Sequence, residues 1–174
     1  MTYLVHAHLY LQPPVIGGPE IIVELDESKF HLSNGRGPEA GFWVFGGVER
    51  TPERRCFFTT VANRTEMTLR GLINRHVAFG SDLHTDGFRS YNTTRLTGDG
   101  YRHSSVNHSL GFRDPITGAH TNTIEGTWAA LKRIIPPRVR GNLLNAYLAA
   151  VPPRGNMDRP RDVSGSLNSE WRGC

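Results

Sequence analysis

Cysteine is almost absent. Cys56 and Cys174 are the only two, 118 residues apart, so the chain has neither a disulfide framework nor a CxxC metal knuckle, and a reducing compartment is the simpler expectation. Long apolar runs are missing as well. No stretch reaches the ~18 residues a transmembrane helix needs. The opening MTYLVHAHLYLQPPV has no basic start and is broken by His6, His8, Gln12 and two prolines, which argues against a cleaved signal peptide. The expected home is the nucleus of a eukaryote or the cytoplasm of a bacterium, and not a secreted fluid. Lysine is scarce too, because Lys29 and Lys132 stand against eighteen arginines. No internal repeat runs through the chain.

What is present suits one globular domain. The 174 residues are 37% hydrophobic and 21% charged, and the formal charge is +4, a composition that can bury a core. The charge is unevenly placed. Residues 1–130 carry 12 basic and 13 acidic side chains, while residues 131–174 carry 8 and 3. The positive excess therefore lies in the last quarter, and net charge alone is poor support for a nucleic-acid partner.

Pro13-Pro14 and Gly17-Gly18-Pro19 form a helix-hostile lead-in over 1–20, and the β-branched, alternating IIVELDESKF that follows predicts a strand from Ile21. Strands are also predicted at Phe42–Val48 and Cys56–Val61. From Thr65 the period changes: Met67, Leu69, Leu72, Ile73 and Val77 recur at helical spacing, with Thr65 or Asn63 able to cap. A short strand over Ser81–Thr85, a helix beginning in Gly87–Tyr91, a strand over Tyr101–Asn107 and a helix over Thr121–Ile135 complete the series, with one more short helix at Asn142–Ala150. Past Pro152 no apolar period survives, and 151–174 reads as a disordered tail. Three antiparallel strands followed by alternating helices and strands predict an α/β fold of the ribonuclease-H-like kind, a mixed five-stranded sheet with helices on its faces, over residues 21–150.

Three acids stand out in that frame. Asp26 lies inside the first strand, where a charge is costly unless it faces an opening or a metal. Asp86 follows the fourth strand where the chain turns into Gly87-Phe88, and Glu125 lies in the first turns of the late helix. Strand middle, strand end and helix start can converge on one side of a sheet. Such a set suits Mg²⁺ or Mn²⁺, which take hard oxygen ligands, and two ions about 4 Å apart suit an in-line phosphoryl displacement. Lys132 is seven residues past Glu125, roughly 10 Å along the helix on nearly the same face, with Trp128 between them. The spacing equally suits a core Trp128, a solvated Lys132 and a helix-surface Glu125.

The segments IGGPEIIVELDESKF (16–30), FWVFGGVER (42–50), TDGFRSYN (85–92) and VNHSLGFRDPITGAHTNTIEGTWAALKR (106–133) resemble the catalytic domain of Merlin-type DDE DNA transposases and their bacterial insertion-sequence relatives of ISXO2-like type. The likeness runs over about residues 16–148. It maps the family's catalytic acids onto Asp26, Asp86 and Glu125 and its trailing lysine onto Lys132. It implies cut-and-paste transposition: hydrolysis of a phosphodiester at the transposon end, then attack of the freed 3′-hydroxyl on target DNA. Two Mg²⁺ or Mn²⁺ ions would be held by Asp26 and Asp86 with Glu125 completing the site, and Lys132 would steer a phosphate. The implied partners are transposon-end and target DNA and, on DNA, further copies of the chain, with no membrane.

Other residues compete for these roles. Lys132, Arg133, Arg138 and Arg140 are the expected DNA contacts. Asn122, Trp128, His108 and His120 are candidates for supporting the ligands. Asp82 begins the strand that Asp86 ends, Glu24 shares a strand face with Asp26, and Glu27 points to the opposite face. The eight histidines have no paired cysteine or His-x₃-His helix spacing, so they do not read as zinc ligands. Phe42, Trp43 and Phe45 read as core and not as a base-stacking platform, and Gly46-Gly47 as a place of close approach. The family's N-terminal DNA-binding region has no counterpart in the twenty residues before the first strand, and the segment after Leu148 departs from the family pattern. Two readings therefore stay open: an active transposase catalytic domain, and a truncated or domesticated derivative that keeps the fold and has lost transposition.

Overall fold

In the computed structural model the described residues are 15–31, 41–106, 114–115, 118–136, 144 and 147–148. His108, Arg138, Arg140, most of the expected 142–150 helix and the whole 151–174 tail lie outside them.

The strands are β1 (Ile16–Gly17), β2 (Ile22–His31), β3 (Gly41–Glu49), β4 (Cys56–Val61), β5 (Val77–Ala78), β6 (Asp82–Asp86) and β7 (Arg102–Val106). The helices are α1 (Glu66–His76), α2 (Thr93–Gly98) and α3 (Asn122–Ile134). Five strands form one mixed sheet in the order β4-β3-β2-β6-β7. β2, β3 and β4 are antiparallel neighbours, and β6 runs parallel to both β2 and β7. The expected three-strand meander followed by helix-linked strands is therefore present as a mixed α/β architecture.

Alternation along the strands builds a core on each face. Val23, Leu25, Phe45, Phe57 and Leu83 join Leu69 and Ile73 of α1. Val44, Val48 and Phe58 join Ile124, Trp128 and Leu131 of α3. Gly46 and Gly47 permit both packings. A Cβ at Gly46 would meet Phe58 at 2.5 Å and Trp128 at 2.8 Å, and one at Gly47 would meet Phe57 at 2.5 Å.

Several local expectations change. Packed structure begins upstream of Ile21: Ile16 is fully buried, and β1 pairs with β5 in a separate two-stranded sheet. α1 ends at His76 and not at Gly80, because Val77 turns extended to make that pairing. Thr65 is its cap, accepting from the Thr68 amide, while Met67, counted on the apolar face, is 86% exposed. The segment Gly87–Tyr91 is a turn, and α2 starts only after Asn92, whose side chain accepts from the Arg95 amide. Asp86 causes the delay, since its carboxylate takes the Phe88 N–H at 2.9 Å and closes a turn that a helix would break.

Candidate active site

β2 and β6 pair in parallel with Ile22 beside Asp82 and Glu24 beside His84. The ladder ends there, and Asp26 and Asp86, each two residues further along its strand, fall by alternation on the same face as Glu24 and His84. α3 covers that face, and Glu125 lies in its first turn. The three acids expected to converge are thus brought to one end of one sheet face.

Asp26 is half-buried, and its carboxylate accepts the Trp128 indole N–H at 3.0 Å. Across the antiparallel pair stands Gly46, and the absent side chain is what lets Trp128 reach over the strand. Phe58 and Phe30 brace the indole edge-on, with ring centroids 5.0 and 6.1 Å away. Burial pushes the Asp26 carboxyl up to about 6; the Glu27 backbone N–H and the Trp128 indole pull it back, while the charges of Asp86 and Glu125 push it further up. Asp26 therefore senses both of the other carboxylates. Among the described residues, no three His, Cys, Asp or Glu side chains are gathered tightly enough to clasp one ion.

Glu125 is exposed and accepts the Thr121 hydroxyl at 2.8 Å. Trp128 is buried, so it serves both the core and Asp26. Lys132 and Arg133 are exposed on the same helix. The Lys132 ammonium lies 5.7 Å from the Phe30 ring centre, four residues along β2 from Asp26, or about 13 Å at strand rise. Asn122 is exposed at the helix start. The His120 carbonyl accepts from Arg50 at 2.6 Å.

The competing acids separate cleanly. Asp82 sits at the far end of β6, 3.6 Å from Arg102 and 3.8 Å from His84. Glu24 shares the Asp26 face but is wholly buried and ion-paired with Arg50 at 2.5 Å. Glu27 does point to the opposite face, yet it is not remote. Its carboxylate receives the Tyr91 hydroxyl and stands 3.8 Å from Arg64. Burial, partly offset by Tyr91 and then reinforced by Asp26 and Asp86, pushes it up to about 7. Tyr91, Arg64 and Arg50 were not singled out from the sequence. Arg50 was reachable: it lies two residues beyond Val48, the cross-strand partner of Glu24, which makes it a diagonal neighbour on the same face. Of the three aromatics read as core in β3, Phe45 is fully buried, whereas Phe42 and Trp43 are half-buried, and the Arg64 guanidinium covers the Trp43 ring at 3.6 Å.

A search of curated proteins finds no match to this chain. Its sequence matches the ISXO2-like transposase domain over residues 17–152, a span that contains β2, β6 and α3 with all three acids and Lys132. With most of its length inside that match, the chain belongs to the ISXO2-like transposase domain family.

Proposed function

We propose that this domain is a ribonuclease-H-like DDE catalytic domain that cleaves and joins DNA strands at the Asp26–Asp86–Glu125 face. The observation that carries the reading is the half-buried Asp26 carboxyl at the open end of β2 and β6, lifted to about 6 by burial and then further by the charges of Asp86 and Glu125. A partly desolvated carboxylate with two others of like charge near it fits a divalent cation, and an all-oxygen donor set fits Mg²⁺ or Mn²⁺. Asp26 and Asp86 would hold two such ions and Glu125 would complete the set. Bound there, the ions supply charge that activates the attacking oxygen and stabilises the leaving one. Trp128 orients the Asp26 carboxylate through its N–H, and Asp86 is oriented by the Phe88 amide. Lys132 and Arg133 offer positive charge to the DNA backbone along the exposed side of α3, continued in the chain by Arg138 and Arg140. The partners are transposon-end and target DNA, engaged by more than one copy of the chain.

The test is conversion of supercoiled plasmid in Mn²⁺ or Mg²⁺ by wild type beside Asp86→Ala. Nicking or strand transfer by wild type, abolished or strongly reduced in the variant, is expected for a lost metal ligand. Equal activity in both removes this site from the reaction. An inactive wild type that still binds DNA favours a transposase-derived protein that has kept only the fold.

A further inference from the structure

Helix α3 starts without a cap of its own. Thr121 occupies the N-cap position, yet its side chain makes no bond to the helix amides and donates to Glu125 instead. The amides such a cap normally takes, those of the second and third helical residues, are Thr123 and Ile124. They donate to Glu24 Oε2 at 2.8 and 3.0 Å, across 99 and 100 residues of chain. The other oxygen of Glu24 takes the Arg50 Nε at 2.5 Å. Arg50 Nη2 in turn donates to the His120 carbonyl at 2.6 Å and lies 3.1 Å from His84 Nδ1.

The positions matter more than the bonds. Glu24 is two residues before Asp26 on the same face of β2, His84 is two before Asp86 on the same face of β6, and Ile124 is next to Glu125. One buried network thus stands directly behind each of the three acids. A buried ion pair is a poor way to gain stability, since apolar packing of equal volume commonly does as well or better. What apolar packing lacks is direction. Slipping α3 by one residue would move Glu125 about 1.5 Å along the axis and swing it about 100° around it, and the two amide bonds to Glu24 forbid both.

We propose that Glu24 and Arg50 are positioning residues that lock α3 to β2 and β6 and so set the spacing of Asp26, Asp86 and Glu125, touching neither DNA nor metal. The metal part of this proposal rests on the reading of the site given above. The tether itself does not.

The experiment uses the full chain with ¹H–¹⁵N spectra, comparing wild type with Glu24→Gln and Arg50→Lys. In wild type the Thr123 and Ile124 amides are expected to resist hydrogen exchange, unlike ordinary first-turn amides. Mg²⁺ should shift the amide signals around Asp26, Asp86 and Glu125 together, over one concentration range. In a folded Glu24→Gln those two amides should exchange about tenfold faster. All three sets of signals should then need about tenfold more Mg²⁺, the usual scale for losing a group that orients a ligand. Arg50→Lys, which keeps the charge and loses the fork, should shift both readouts in the same direction and serves alone if Glu24→Gln fails to fold. Unchanged exchange, or an unchanged Mg²⁺ midpoint, in a folded variant overturns the proposal. Absence of plasmid cleavage by wild type would remove the proposed reaction and leave both spectral readouts to decide the tether.

Discussion

Glu24 and Asp26 are two residues apart on one face of one strand, and their surroundings are opposite. Glu24 is fully buried, and both its oxygens are spoken for by Arg50 and by the first turn of α3. Asp26 is half-exposed, takes one indole N–H, and has its carboxyl pushed up by burial and, beyond that, by the charges of Asp86 and Glu125. The closed end of the sheet face is built to satisfy charge, and the open end to concentrate it. On the proposed assignment, burial by itself says little about which acid is functional, because the more buried of the two is the positioning residue. The discriminating property is whether the neighbours complement the charge or repeat it.

That contrast can be broken at the closed end first. Arg50→Met leaves the Glu24 carboxylate buried without its cation, and a loss of about 3 kcal/mol or more in urea unfolding is expected. The reverse holds at the open end. Folding raises the Asp26 pKa from 3.8 to about 6, so the native state binds this proton more tightly than the unfolded chain does. Ionising Asp26 costs stability: the cost is nil well below pH 4, grows between about pH 4 and 6, and is complete above. Asp26→Asn, which keeps an acceptor for Trp128, should stabilise the protein by about 2 kcal/mol at pH 8 while ending metal-dependent cleavage, and the gain should vanish by about pH 3. Urea unfolding at several pH values measures it, and a variant less stable than wild type at pH 8 would contradict it.

Gly46→Ala tests the opening across from Asp26. The new Cβ would crowd Phe58 and Trp128, so a loss of about 1 to 2 kcal/mol is expected in thermal or urea unfolding. Trp128 fluorescence should change with it. The smallest effect belongs to Met67→Gln, on the exposed side of α1, where stability should stay within about 0.5 kcal/mol.

The parts of this site legible in the sequence were those set by local rules. Strand alternation placed Asp26 and Glu24 on one face, turn chemistry placed Asp86 at the end of β6, and helical period placed Glu125 and Trp128 in α3. Where residues answered to distant partners, local rules failed. Val77 left the helical period to pair with Ile16. The turn after Asp86 consumed residues that would have begun a helix, and α2 waited for the Asn92 cap. The α3 cap came from Glu24, a hundred residues away, which no capping pattern in the local sequence could reveal. Glu27 was read on the correct face, yet strand alternation gives no distance through the sheet, so its coupling to Asp26 and Asp86 went unseen.

On the proposed function, Asp26, Asp86 and Glu125 form one cation-seeking cluster. The most direct measurement is the titration of the Asp26 side-chain carboxyl by ¹³C NMR, without and with saturating Mg²⁺. A midpoint near 6 is expected without the ion and a fall of at least about one unit with it, because a bound cation favours the charged form. A midpoint near the ordinary aspartate value that Mg²⁺ leaves unmoved would contradict it.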